Sequence, residues 1–257
     1  MLELKHIDKY YNPGTVNEMC LFSDFNLTIR DNEFVAVVGS NGSGKTSMLN
    51  LICGSIDMDG GSIVIDGKDI SKEKEFRRMK YMGRVYQNPA VGTCPTMTIL
   101  ENMALADNKG NLFGLKMGTN KKRIDFYKDS LRQLNLGLED KMDVKVGTLS
   151  GGQRQAMALV MSTMTPLDFL ILDEHTAALD PKTAELIMEL TDKIVREKKL
   201  TTIMVTHNLR YAVEYGDRLV MMHQGQTVID VAGEQKKAVD TDEILRKFNE
   251  ISIECGN

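Results

Sequence analysis

Gly39-Ser40-Asn41-Gly42-Ser43-Gly44-Lys45-Thr46 sets two glycines around four residues and follows them with Lys and Thr, the spacing of a phosphate-cradling P-loop. Glycine lets backbone N–H groups turn inward around an anion with no Cβ in the way. A helix starting at Lys45 then points its positive end at the phosphates. Lys45 is expected to neutralise β- and γ-phosphate charge, and the Thr46 hydroxyl to ligate Mg²⁺. Such a loop alone does not separate one kind of nucleotide-using protein from another.

Two further strings carry chemistry. Phe169-Leu170-Ile171-Leu172 reads as a buried strand that brings Asp173 and Glu174 to its C-terminal end, where α/β sheets bind ligands. Two carboxylates so placed suit metal binding and general-base activation of a water. In Leu149-Ser150-Gly151-Gly152-Gln153, Ser150 and Gln153 have the spacing of a capping box at a helix start. The two glycines leave that helix end bare, so Ser150 and the backbone amides can meet a phosphate.

The elements that must hold these residues follow from periodicity. Phe34-Val35-Ala36-Val37-Val38 is a continuous run typical of a strand buried on both faces of a parallel sheet, and Lys45 to Ile52 reads as a helix. Before it, Leu2, Leu4 and Ile7 mark one strand and Leu21 to Ile29 another, around the turn-forming Asn12-Pro13-Gly14. Met82 to Tyr86 is strand-like. Residues 88–165 change character, with Pro89, Pro95, a Gly-, Asn- and Lys-rich loop over Asp107 to Arg123 expected to be mobile, and Tyr127, Leu131, Leu134 and Leu138 at helical spacing. After them come a helix over Pro181 to Arg196 with Ala184, Ile187, Leu190 and Ile194 on one face, a strand over Thr201 to Val205, and a hairpin over Arg218 to Val231 turning near Gln224-Gly225. The alternation predicts an α/β domain with helices on both faces of the sheet.

Together the motifs resemble the ATP-binding-cassette (ABC) family, over roughly Leu2 to Val231. The resemblance implies a P-loop NTPase core of ABC type, with an N-terminal antiparallel β subdomain and an inserted α-helical subdomain. One domain would span 1–257, with 1–87 and 166–257 as catalytic core and β subdomain and 88–165 as the helical part. It implies ATP and Mg²⁺ as cofactors, and an ATP-binding set of Gly39, Ser40, Asn41, Gly42, Ser43, Gly44, Lys45, Thr46 and Ser47. Gln87 matches a glutamine that would ligate Mg²⁺ beside Thr46 and Asp173. His207, after the strand Thr201 to Val205, matches a switch histidine contacting the γ-phosphate, so Lys45, Glu174 and His207 form the catalytic set. Ser150, Gly151, Gly152 and Gln153 would act in trans on the nucleotide of a second subunit, which implies a homodimer or a similar partner chain. Asp180, in Ala178-Leu179-Asp180, would lie at the dimer interface, and it also reads as an N-cap before Pro181. An aromatic near the N-terminus would stack on adenine; Tyr10 and Tyr11 both qualify, and the family's usual offset selects Tyr11.

The sequence departs from the family in two places. His175 stands where proline usually follows the catalytic glutamate, and the helix over Arg154 to Thr163 lacks the arginine common in its second half. The string from Asp173 to Asp180 is similar to a branch serving binding-protein-dependent importers, aromatic amino acids among their cargoes. The resemblance therefore implies a motor on the cytoplasmic face of the membrane, closing as a dimer against a separate integral permease and linked through it to an extracytoplasmic substrate-binding protein. The alternative is a soluble ABC ATPase acting on ribosomes or DNA.

Composition sets the outer bounds. Hydrophobic residues make up 42% and charged residues 26% of 257, as in an ordinary globular protein, and the net charge of -4 argues against nucleic acid as a partner. The apolar runs are far shorter than the ~20 residues a spanning helix needs. Cys20, Cys53, Cys94 and Cys255 lack the paired spacing of a zinc site, and reduced thiols are expected. Met1 to Lys5 lacks the layout of a signal peptide, and 232–257 is too short for an added regulatory domain.

Overall fold

A computed structural model describes residues 1–111, 118–238 and 244–246. The chain divides into two compact units, Met1–Arg78 with the chain from Lys199 onward, and Met79–Lys198. The first begins with β1 (Leu2–Tyr11), β2 (Met19–Ile29), β3 (Phe34–Gly39), α1 (Lys45–Cys53), β4 (Gly60–Ile65), β5 (Lys68–Asp69) and α2 (Glu75–Arg78). The second holds β6 (Met82–Val85), α3 (Ile99–Asp107), α4 (Ile124–Arg132), α5 (Gly151–Thr163), β7 (Phe169–Asp173) and α6 (Pro181–Lys198). The chain then returns to the first unit with β8 (Thr201–Val205), α7 (Leu209–Glu214), β9 (Arg218–His223), β10 (Gln226–Ala232) and α8 (Gly233–Lys237).

Within the first unit, β2-β1-β4-β5 form an antiparallel sheet. Leu2, Leu4 and Ile7 are all buried although their spacing breaks a strict alternation. A register shift between Leu4 and Ile7, with His6 at φ 53°, absorbs the extra residue and keeps Ile7 inside. The expected strands are present; β4 and β5 add a hairpin that the periodicity reading did not include. Its turn, Asp66-Gly67, has φ 50° and 78°, the left-handed pair of a type I′ turn. The second sheet of this unit runs β10-β9-β3-β8, with β3 parallel to both neighbours and buried throughout. The predicted two-sided burial of Phe34 to Val38 is thereby met.

The C-terminal end of α1 is closed by Gly54 N–H, which donates to Leu51 O at 3.1 Å, and by one distant residue. Arg78 is 3% exposed and donates to the carbonyls of Leu51 at 2.8 Å, Ile52 at 2.9 Å, Ser71 at 2.9 Å and Glu73 at 2.8 Å. Carbonyls in the last turn of a helix lack the usual intrahelical donor. Without Arg78 the Leu51 carbonyl would keep only Gly54 N–H while the others lose this partner, which is costly where they are buried. Replacing Arg78 with Met keeps much of the volume and removes every donor. Denaturant unfolding should then show a loss of about 3 kcal/mol.

In the second unit, β6 and β7 pair in parallel from Met82↔Phe169 to Val85↔Leu172. The segment expected to be helical, 88–165, lies within this unit and contains α3, α4 and α5. Tyr127, Leu131, Leu134 and Leu138 are all buried, but α4 ends at Arg132. Asn135 at φ 53° and Gly137 at φ 64° turn the backbone left-handed, so the last two leucines reach the core from an irregular segment. On α6 the buried face comprises Ala184, Ile187, Met188, Thr191, Ile194 and Val195, and the expected Leu190 is only half-buried at its margin. Residues 112–117, inside the loop expected to be mobile, and most of the tail after residue 238 lie outside the described residues. Among the described residues no helix is long and apolar enough to cross a membrane.

Candidate active site

The phosphate-loop residues lie between β3 and α1, the strand-to-helix context their pattern requires. Gly44 precedes α1 in a left-handed conformation and provides no side-chain cap, and no acidic residue occupies the first turn. The amides of the first turn thus meet neither a side-chain cap nor an acidic neighbour, as anion binding there requires. Lys45 is 5% exposed, and its Nζ donates to the carbonyls of Gly39 and Ser40 at 2.8 Å each and to Ser43 Oγ at 3.4 Å. Its charge is therefore held against the loop itself. The Tyr11 hydroxyl lies 3.4 Å from Ser47 Oγ on α1, which brings this ring, rather than that of Tyr10, beside the loop's helix. Tyr10 instead sits opposite Cys20 on β2. His207 is exposed, two residues past β8, after the buried Thr206. Asn208, next to it, caps α7 by accepting from Tyr211 N–H at 3.2 Å.

In the second unit, β7 ends on Asp173, and Glu174 follows at φ 48°. A left-handed backbone is unfavourable for a glutamate and commonly marks a functional position. Ala177 N–H donates to the Glu174 carbonyl at 2.9 Å and closes the turn. Gln87 is exposed, just beyond β6. Ser150 caps α5 as its spacing predicts: its Oγ accepts from Gln153 N–H at 3.2 Å, and Gln153 Oε1 accepts from Ser150 N–H at 3.1 Å. The two glycines that follow differ in what constrains them. A Cβ on Gly152 would stand 2.2 Å from Thr183 Cγ2, whereas one on Gly151 would meet only Leu179 at 3.7 Å. Packing of α5 against the start of α6 thus accounts for Gly152, and Gly151 remains as the glycine without a packing cause. Asp180 accepts from Thr183 N–H at 3.1 Å, the N-cap contact expected of it. Hydrogen bonding from Thr183 holds its carboxyl below the usual range.

His175 is fully enclosed, and burial pushes its ring down to about 4. Its Nε2 lies 3.1 Å from Thr191 Oγ1, whose own hydroxyl donates to Ile187 O at 2.7 Å, so the ring nitrogen is the donor. The residue after Glu174 is therefore tied to α6 by a neutral imidazole. An unfolded histidine protonates near 6.5, so below that pH the unfolded chain binds more protons than the folded one. Stability present above pH 6.5 should fall as pH drops towards 4, by up to about 3 kcal/mol. Unfolding curves across that range, compared with those of His175→Asn, check this; the variant should show a flatter acid limb.

Sequence reasoning missed Arg84, which lies in β6 and donates to Asp173 Oδ2 at 2.6 Å. A cation inside an apolar strand was the available signal, since a charge so placed needs a partner.

The sequence pattern described as ABC transporter matches residues 22–177. A tyrosine transport ATP-binding protein of Clostridioides difficile (strain R20291) is 46% identical over 96% of this chain and 98% of its own length. A spermidine/putrescine import ATP-binding protein, PotA, of Haemophilus influenzae (strain KW20) is 34% identical over 90% of this chain, which spans only 57% of that protein. Among solved structures, a dimeric ATP-binding cassette in a post-hydrolysis state with ADP and Pi superposes with a TM-score of 0.76 at 30% identity, covering 90% of this chain and 98% of that one. The chain belongs to the ABC transporter family, as one of its ATP-hydrolysing cassettes.

Proposed function

We propose that this chain is the ATP-driven motor of an importer for an aromatic amino acid, working from the cytoplasmic face of the membrane on a separate integral permease. The observation that carries the reading is the end-to-end match, at 46% identity, to a protein named for tyrosine transport. A homodimer would form head to tail, with Ser150, Gly151, Gly152 and Gln153 of each subunit directed at the nucleotide of the other and Asp180 at the interface. The dimeric cassette structure supports this arrangement. An extracytoplasmic binding protein would deliver the cargo to the permease.

Each residue has a role in that reading. The P-loop amides and Lys45 bind the β- and γ-phosphates, Tyr11 stacks on the base, and His207 contacts the γ-phosphate. Glu174 accepts a proton from the attacking water. Thr46, Gln87 and Asp173 offer a hydroxyl, an amide carbonyl and a carboxylate, an all-oxygen set of the kind Mg²⁺ prefers. The ion would neutralise charge developing on the phosphates.

A cavity of about 380 Å³ in the second unit, lined in part by Met79, Met82, Tyr86, Leu105 and Met161, supports docking of a short apolar permease segment. The test is co-expression with the permease from a neighbouring reading frame, followed by reconstitution into liposomes. Copurification and several-fold stimulation of ATP hydrolysis by binding protein loaded with tyrosine are expected. A chain that associates with no integral membrane protein overturns the reading.

A further inference from the structure

Arg84 and Asp173 stand on the same face of the β6–β7 pair. The register sets Arg84 beside Ile171, and Asp173 lies one pleat further along β7. Their side chains are only 7% and 13% exposed, and Arg84 Nη2 donates to Asp173 Oδ2 at 2.6 Å. The guanidinium also lies over the ring of Tyr86, 4.7 Å from its centroid, a cation–π contact that helps to hold it. A buried ion pair of this kind contributes little net stability.

We infer that Arg84 is a positioning residue for Asp173, holding its carboxylate as an internal counter-ion until a divalent metal arrives together with nucleotide. The inference rests on the reading of Asp173 as a metal ligand. A guanidinium at hydrogen-bond distance competes with a free cation for the same carboxylate, and it repels that cation by like charge. A metal carried on nucleotide brings the phosphate charges with it, which offset the repulsion. The pair therefore admits metal with nucleotide and disfavours metal alone, and it keeps the carboxylate oriented in between.

The experiment measures Mn²⁺ binding to the full chain by electron paramagnetic resonance, with and without a non-hydrolysable ATP analogue. Without nucleotide, Arg84→Met should bind Mn²⁺ at least ten-fold more tightly than wild type, and Arg84→Lys should stay near wild type. The gain should vanish in the Arg84→Met, Asp173→Asn double variant. Equal Mn²⁺ affinity in wild type and Arg84→Met, with Asp173→Asn still weakening uptake in the presence of the analogue, overturns the inference and leaves the ligand assignment standing. If Asp173→Asn takes up Mn²⁺ with the analogue as wild type does, the ligand assignment itself fails and the inference falls with it. A measurement on the unaltered protein covers a variant that does not fold. The ¹⁵N guanidinium signal of Arg84 should move on adding Mg²⁺ with the analogue and stay in place with Mg²⁺ alone; movement with Mg²⁺ alone contradicts the inference.

Discussion

Glu174→Gln should lower steady-state ATP turnover by about 10³-fold while leaving ATP binding intact, the scale expected when a positioned general base is lost. Glutamine has the same shape and can still hydrogen-bond a water, but it cannot take the water's proton. The position is held by the backbone: β7 is buried from Phe169 to Leu172, and the turn at φ 48° is closed by Ala177 N–H. The substitution leaves those contacts in place, so a fall in kcat with little change in KM is the expected pattern. With hydrolysis blocked, ATP and Mg²⁺ should hold two chains together. Gel filtration should show a dimer for the variant; a monomer alone would contradict the assignment of Glu174.

The second large effect is expected at a residue that supplies no reacting group. Gly225→Ala should destabilise the fold by more than about 3 kcal/mol and weaken ATP binding with it, through strain at a special backbone position and overpacking. The β9–β10 turn consists of Gln224 at φ 44° and Gly225 at φ 73°, the type I′ geometry that suits a twisted hairpin. A Cβ on Gly225 would lie 1.7 Å from the Leu21 carbonyl oxygen, which is backbone and cannot step aside as a flexible side-chain end can. The Gly225 N–H also donates to Ser43 O at 3.1 Å, so the turn supports the phosphate loop directly. Gly67→Ala provides the control. Its φ of 78° is equally left-handed, but its added Cβ meets nothing within 4 Å, so the cost should be about 1 kcal/mol. Comparable unfolding midpoints for the two variants would contradict the steric account.

The features that were legible in the sequence are those decided locally. The glycine spacing and the run Phe34 to Val38 specify a buried strand feeding a loop and helix, because backbone freedom and side-chain burial act within a few residues of one another. The capping box of Ser150 and Gln153 is likewise closed within one turn. What escaped depends on partners far along the chain. Arg84 meets Asp173 across 89 positions, and Arg78 reaches α1 from 27 residues beyond Leu51. Helical spacing continues through Leu134 and Leu138 after α4 has ended, because burial and not helix sets that spacing there. Gly152 could not be separated from Gly151 without knowing that Thr183 packs on it.

Phosphate release from ATP and Mg²⁺, followed over a range of protein concentration, tests the central claim most directly. Steady release by the wild-type chain is expected, rising more than linearly with protein as two chains share each nucleotide, and nearly absent in Glu174→Gln. Equal release by both proteins, or none from wild type at concentrations where ATP is bound, alone or with its permease, would contradict the account.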